Sequence, residues 1–281
     1  MRIIATEKQI YAGIMGLAVG DALGVPYEFR KRDTFRCKGM TGWGTHNQPA
    51  GTWSDDTSLT LATMASLIEC GKVDPKDIMQ KFSLWYTKGY FTAHGDVFDC
   101  GGATGRAIQK YLSGTPYNKC GGKGFEDNGN GALMRILPLA FVDNGEKYLN
   151  AVGGLTHAHR ISRACCWAYI STAKAIMDDK KLEVELPYFR SEIKSSGYVV
   201  DTLKAAFWCL LNTDTYRDCV LTAVNMGEDT DTTAAVAGGL AGLFYGVGGE
   251  RGIPEEWINQ IARKEYIKEL CEQMAAGVDA E

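Results

Sequence analysis

The stretch that most restricts how this chain can fold is NMGEDTDTTAAVAGGLAGLFYG, residues 225–246. Three acids, Glu228, Asp229 and Asp231, stand within four positions, and no charged residue follows from Thr232 to Gly249. This Gly/Ala-rich run is a little short of the roughly 20 residues needed to cross a bilayer. It reads as a helix buried inside the protein. A second segment repeats the grammar: GTWSDDTSLTLATMASL, residues 51–67, sets Ser54, Asp55, Asp56 and Thr57 before another apolar helix. Ser, Thr and Asp are favoured helix N-caps, and a helix N-terminus stabilises anions. A cap needs only one side chain, however, and each segment carries two carboxylates.

Helical signals dominate elsewhere. Thr6-Glu7-Lys8-Gln9 is a capping box ahead of Ile10, Ile14 and Leu17 at helical spacing. Residues 57–69 follow the same pattern and stop before Gly71, and Asp74-Pro75 caps a helix running to Gly89. Further helices are expected near 103–112, 131–142, 146–155, 160–178, 199–211, 215–226, 231–245 and 254–275, with Gly-rich loops at 39–53, 99–105 and 120–131. Gly13, Gly16, Gly20 and Gly24 thin the first helix along part of its surface. Each glycine costs up to about 1 kcal/mol of helix propensity, so close packing of a neighbour is the expected compensation. No alternating strand series, repeat or linker is present. Residues 1–281 are therefore expected to form a single compact all-α domain, with its Gly-rich, partly acidic loops gathered at one end.

The formal charge of -4 and the lack of a long Lys/Arg cluster argue against nucleic-acid and membrane-surface partners. Nine scattered cysteines without CxxC spacing suit reduced thiols and a cytoplasmic location. The apolar N-terminal run is interrupted by Glu7, Lys8 and Gln9 and then by Asp21, unlike a signal peptide.

Clustered carboxylates and hydroxyls, with no His or Cys among them, form a hard-oxygen donor set suited to Mg²⁺, Mn²⁺ or Ca²⁺. Four aspartates crowded in a low-dielectric site repel one another unless cations or protons neutralise them. Two divalent ions would do so. Asp21 and Glu28 stand at the end of the first helix and in the loop after it. Asn128, Gly129, Asn130 and Gly131 form a turn that could cradle phosphate, and DCGGATGRAI at 99–108 has the same character. His157 and His159, at i and i+2, do not share a helical face, which argues against a His–His metal site. Walker, HExxH and GxSxG templates are absent.

Taken in order, GLAVGDALGVPYE, GTWSDDTSLTL, NGNGALMR, the Thr-His of THAHR and GEDTDTTAAVAGGLAG resemble the ADP-ribosylglycohydrolase family. The matching stretches extend from residue 16 to about 242, and the pairing of WSDDT with DTDT makes the combination specific. The resemblance implies an orthogonal all-α fold with a binuclear Mg²⁺ centre, Mn²⁺ being the alternative. It also implies hydrolysis of the glycosidic bond between ADP-ribose and an acceptor. By the same resemblance Ser54, Asp55, Asp56, Asp229, Asp231 and Thr232 would be metal ligands. Gly101, Gly102 and the Asn128–Gly131 turn (Asn128, Gly129, Asn130, Gly131) would meet the diphosphate, and His157 would lie near the adenosine end. Asp56 or Asp229 would take the proton of the attacking water, with the loop residue Glu28 as rival. The expected partner is an ADP-ribosylated protein or small ADP-ribosyl conjugate, handled by a monomer. The acceptor is left open among arginine, serine, the acetyl ester of ADP-ribose and nucleic-acid ends. Two departures from the family pattern stand out: Ser54 where Thr is usual, and Glu228 in place of a common Gly. Two other functions compete, a non-catalytic ADP-ribose-binding or structural protein and a two-metal nucleotide phosphohydrolase. The second would need a basic residue at the leaving phosphate, for which Arg135 is the only candidate inside the motifs.

Overall fold

A computed structural model describes residues 1–180 and 188–277. Among them lie eleven α-helices: α1 (Glu7–Gly24), α2 (Asp55–Cys70), α3 (Pro75–Lys88), α4 (Gly102–Leu112), α5 (Leu149–Gly153), α6 (Arg160–Met177), α7 (Val199–Leu211), α8 (Tyr216–Val224), α9 (Thr230–Tyr245), α10 (Glu255–Ile258) and α11 (Lys264–Ala276). No sheet forms among the described residues, only isolated bridges. The fold is all-α, as expected.

α1 opens on the expected reciprocal cap: Gln9 N donates to Thr6 Oγ1 at 3.2 Å, and Thr6 N donates to Gln9 Oε1 at 2.9 Å. The glycines of α1 meet α9 along a backbone-to-backbone seam. A Cβ on Gly16 would lie 2.4 Å from the Gly238 carbonyl oxygen, and one on Gly20 2.1 Å from that of Ala234. On Gly24 it would lie 2.3 Å from Asp231 Cα, and on Gly242, in return, 2.1 Å from the Ala12 carbonyl oxygen. No side chain fits in that space, so the helix-breaking residues are what allow the contact. Two buried phenols fasten the seam, Tyr216 donating to the Gly16 carbonyl at 2.6 Å and Tyr169 to that of Val236 at 3.1 Å. The seam sets the mouth of α9 against the end of α1. The segment Glu7–Tyr27 is long and apolar enough to cross a bilayer, but its most apolar window is 89% buried within the fold, as befits a core helix. None of the nine cysteines forms a disulfide.

Most helix boundaries match the sequence pattern; α2 begins at its Ser54 cap and ends at Gly71 in the left-handed conformation (φ +61°). Three expectations fail. No α-helix spans 131–142, where turns lead into a 3₁₀ segment over Leu137–Phe141. Pro138 lacks an N–H and clashes with the carbonyl four residues back, which explains the break. The region 146–155 holds no single α-helix but a 3₁₀ turn over Gly145–Tyr148 that runs into the short α5, closed by Gly153 and Gly154. The expected helix at 254–275 divides into α10 and α11, with Arg263 in the left-handed region at φ +47° and Ala262 N donating to the Gly51 carbonyl at 3.0 Å.

Candidate metal centre and ligand cleft

The first turn of α2 is satisfied largely from another helix. Asp21 of α1, fully buried, accepts from Ser54 N at 3.0 Å, from Thr57 N at 3.0 Å and from Thr57 Oγ1 at 2.6 Å. Ser54 Oγ accepts from Asp56 N at 3.3 Å. With Asp21 and Ser54 acting as caps, the carboxylates of Asp55 and Asp56 are left for other work.

The two acidic segments meet directly. Asp56 Oδ2 accepts from Ser54 Oγ at 2.9 Å and from Thr232 Oγ1 at 3.3 Å, which ties the mouth of α2 to that of α9. Asp231 Oδ1 accepts from Thr232 N at 2.9 Å, and Asp229 Oδ2 from Asn130 Nδ2 at 2.8 Å. Asp56 Oδ1, Asp229 Oδ1 and Asp231 Oδ2 are buried with no hydrogen-bond partner among the described residues. One oxygen each from Asp21, Asp56 and Asp231 lie within 4.8 Å of one another, as do ligating atoms of Glu28, His46, Asp99 and Asp231. Asp231 belongs to both groups.

Burial and mutual repulsion disfavour charge throughout the cluster. Burial lifts Asp55, Asp56 and Asp231 well above the usual carboxylate range, and neighbouring acids push them further. Asp99 and Asp229 are raised by the same burial, and Asp21 is raised to about 6. Glu28 reaches about 7, because burial outweighs its hydrogen bond to His46, and that bond raises His46 in turn. Orphaned oxygens and reluctantly charged carboxylates both fit a site built for hard cations.

A cleft of about 480 Å³ lies above the cluster, within the range of small-molecule sites. Glu28, Asp55, Asp229 and Thr232 line it, together with Gly101, Gly102, Gly129, Asn130, Gly131 and His157. Asn128 does not take its expected place. It is buried, its Oδ1 accepts from Ser162 N at 3.2 Å and stands 2.9 Å from His159 Nδ1, so its amide is engaged at the start of α6. Arg135 is fully buried as well, its guanidinium 4.5 Å from the centre of the Phe82 ring. It presents no charge to the cleft, so the phosphohydrolase alternative loses Arg135 as its cation, although Arg106 lines the cleft. A second depression of about 500 Å³, at Asp33, Arg36, Arg190 and Asn225, holds none of the candidate residues.

Three members of the cluster were not singled out as site residues from sequence. Asp21 had a legible signal as the sole charge between Ile10 and Tyr27. Asp99 directly precedes the Cys100-Gly101-Gly102 turn, and His46 comes from the 39–53 loop with no distinguishing pattern around it. Glu228 takes φ +60°, a left-handed conformation that favours glycine. That accounts physically for a glycine being the common residue there.

A helical frame that gathers clustered acids beneath an open polar cleft could hold hard cations in oxygen ligands, an arrangement suited to a metal-assisted hydrolase. The family model for ADP-ribosylglycohydrolase matches residues 3–188 and 173–281. The chain is 32% identical to an ADP-ribosylarginine hydrolase (Tri1) of Serratia proteamaculans, covering 93% of this chain and 77% of that protein. It is likewise 32% identical to the ADP-ribosyl-[dinitrogen reductase] glycohydrolase of Rhodospirillum rubrum, covering 92% of each. A solved ADP-ribosylglycohydrolase-related protein complex superposes with a TM-score of 0.82 at 28% identity, over 96% of this chain and 98% of that one. The chain belongs to the ADP-ribosylglycohydrolase family and is a glycohydrolase.

Proposed function

We propose that the protein removes ADP-ribose from modified arginine side chains of a protein substrate by hydrolysing the bond at the anomeric carbon, with Mg²⁺ or Mn²⁺ bound in the acid cluster. Two relatives at 32% identity favour this acceptor: one is named an ADP-ribosylarginine hydrolase and the other a glycohydrolase of ADP-ribosyl-dinitrogen reductase. The observation that carries the reading is the joint presence, beneath one cleft, of three orphaned buried carboxylate oxygens drawn from both helix mouths. Ser54, Asp55, Asp56, Asp229, Asp231 and Thr232 would hold the ions. Divalent ions there would neutralise the acids and bind the vicinal hydroxyls of the substrate ribose.

The remaining work falls to the chain's own residues. Anionic side chains near the anomeric carbon stabilise the positive charge that develops as the bond breaks. The proton of the attacking water needs an acceptor open to the cleft with a free lone pair. Asp229 comes nearest to both conditions: the residue lines the cleft, Asn130 orients Oδ2, and Oδ1, though buried, has no hydrogen-bond partner among the described residues. Asp56 is fully buried with Oδ2 engaged twice, so it serves better as a ligand. Glu28 also lines the cleft, but its carboxylate is paired with His46.

The test is to incubate the protein with ADP-ribosylated arginine and serine peptides in Mg²⁺, with and without chelator. Free ADP-ribose from the arginine peptide, appearing only with metal, supports the reading. AMP or phosphate instead would point to a phosphohydrolase, and binding without turnover to an inert member. Asp229→Asn should lower kcat by about 10²-fold or more with KM little changed. A smaller effect than in Glu28→Gln would shift the role of proton acceptor to Glu28.

A further inference from the structure

Arg135 raises a question that the proposed chemistry does not answer. Burying a guanidinium without a carboxylate is costly. Yet Arg135 has no acid partner among the described residues, and its Nε and Nη1 make no hydrogen bond there. Only Nη2 is engaged, donating to Thr156 Oγ1 at 2.8 Å and to the Val152 carbonyl at 3.3 Å. Thr156 Oγ1 stands 2.8 Å from Nδ1 of His157, and His157 lines the cleft.

The donors and acceptors leave one satisfied arrangement. A guanidinium only donates, so the Thr156 oxygen is the acceptor of the Arg135 bond. The Thr156 hydroxyl hydrogen then needs an acceptor of its own. Among the described residues the one at hand is His157 Nδ1. Nδ1 must therefore be unprotonated. A neutral imidazole carries its proton on the other nitrogen, so Nε2 is the N–H. No described residue pairs with Nε2, and it faces the glycine turn of the cleft. A Cβ placed on Gly129 would lie 3.4 Å from Nε2 and one on Gly131 3.5 Å from it.

We propose that Arg135, acting through Thr156, is a positioning residue that fixes His157 as the Nε2–H tautomer and aims that N–H at an acceptor oxygen of the bound nucleoside diphosphate. The identity of the ligand rests on the function proposed above; the tautomer does not. Burial and the nearby Arg135 also hold His157 far below its ordinary value, to about 3, so the ring stays a neutral donor at physiological pH. Burial lowers Arg135 only to about 10, and it remains the cation from which the relay starts.

The experiment uses the intact protein with ¹⁵N-labelled histidine, whose four histidines make assignment by single substitution practical. Long-range ¹H–¹⁵N correlation should show His157 with a protonated Nε2 and a bare Nδ1. A protonated Nδ1 in the wild type overturns the proposal. Thr156→Val removes the hydroxyl at constant shape, and Thr156→Ser restores it. In Thr156→Val the tautomer preference should weaken, Kd for ADP-ribose should rise about 5- to 10-fold, the worth of one net hydrogen bond, and KM should rise with kcat nearly unchanged. Thr156→Ser should return all three. If Thr156→Val lowers Tm but leaves the tautomer and the affinity of the folded fraction as they were, Thr156 is merely structural and the proposal fails. Should the wild type show the Nε2–H tautomer yet bind no ADP-ribose, the relay stands and the ligand reading falls.

Discussion

Asp231→Asn tests the acid cluster most directly, because Asp231 is the residue common to both ligand groups. It is buried, with Oδ2 bare and Oδ1 accepting from Thr232 N at 2.9 Å. Asparagine keeps the size and that acceptor but removes the charge. An ion that binds only the folded state stabilises it by about 2.7 kcal/mol per site at a hundredfold excess over Kd. Unfolding entropy near 2.1 cal/mol/K per residue gives this chain about 0.6 kcal/mol/K in total, so one saturated site should raise Tm by about 4–5 °C and two by about 9 °C. The chelated wild type pays for its crowded acids in stability, and Asp231→Asn relieves part of that repulsion. Scanning calorimetry of both proteins in chelator and in millimolar Mg²⁺ should therefore show a crossover. The variant should melt above the wild type in chelator, below it in Mg²⁺, and gain less than half the wild-type increment. If the wild type gains nothing from Mg²⁺, or if Asp231→Asn keeps the full increment, the two-group reading of the cluster is wrong.

Gly20→Ala would place a Cβ 2.1 Å from the Ala234 carbonyl oxygen, forcing α1 and α9 apart; a loss of about 3 kcal/mol or more is expected by denaturant unfolding. Gly39→Ala is the control, since its Cβ would meet nothing nearer than Trp257 Nε1 at 3.7 Å. Glu228→Gly should stabilise by about 0.5–1 kcal/mol by relieving the left-handed strain. Glu228→Gln should not, and equal gains from both would assign the effect to charge. His157 sits at about 3 when folded, lowered first by burial and then by Arg135, with Asp127 and Arg106 as further charged neighbours of opposite effect. Unfolded, it titrates near 6.5, so the unfolded chain takes up the proton first. The stability His157 contributes is complete above about pH 6.5 and drains away as pH falls toward 3, about 1.4 kcal/mol of it by pH 5.5. His157→Gln in saturating Mg²⁺ should flatten the stability profile between pH 7 and 5; an unchanged profile would contradict the buried neutral ring.

The helical class, the seam and half of the cluster were legible because each leaves a local trace. Four glycines in one helix whose only charge beyond the first turn is Asp21 announce a close neighbour, and α9 supplies it. Doubled acids at helix mouths exceed what capping requires, and the excess is what lacks partners in the fold. What could not be read is what depends on the path of loops. His46 and Asp99 join the cluster from irregular segments whose composition resembles any surface loop. Asn128 looked like a ligand residue because Asn-Gly turns can cradle anions, but its amide is engaged at the start of α6, a contact with Ser162, 34 positions away. The helix expected over 131–142 followed apolar spacing, and Pro138 overrode it.

The seam also explains why the acids are placed at the start of a buried helix. Carboxylates on a mobile loop would move apart to relieve their repulsion, and a cation would then have to gather them at an entropic cost. Here Gly24 packs against the Asp231 backbone itself, and Asp21, three residues earlier on the same helix, holds the first turn of α2. One rigid element thus fixes both mouths. The acids cannot separate, so their repulsion persists until a counter-charge arrives, and binding it requires little rearrangement. Weakening the seam should accordingly cost cation affinity before it costs fold. A cavity-tolerant change such as Leu243→Ala, whose side chain packs at Gly13 far along α9 from the acids, should raise the Mg²⁺ Kd measured by calorimetry less than a change at the Gly24–Asp231 contact of equal effect on chelated-state stability. Equal losses of affinity would mean that preorganisation at the mouth is not what the glycines secure.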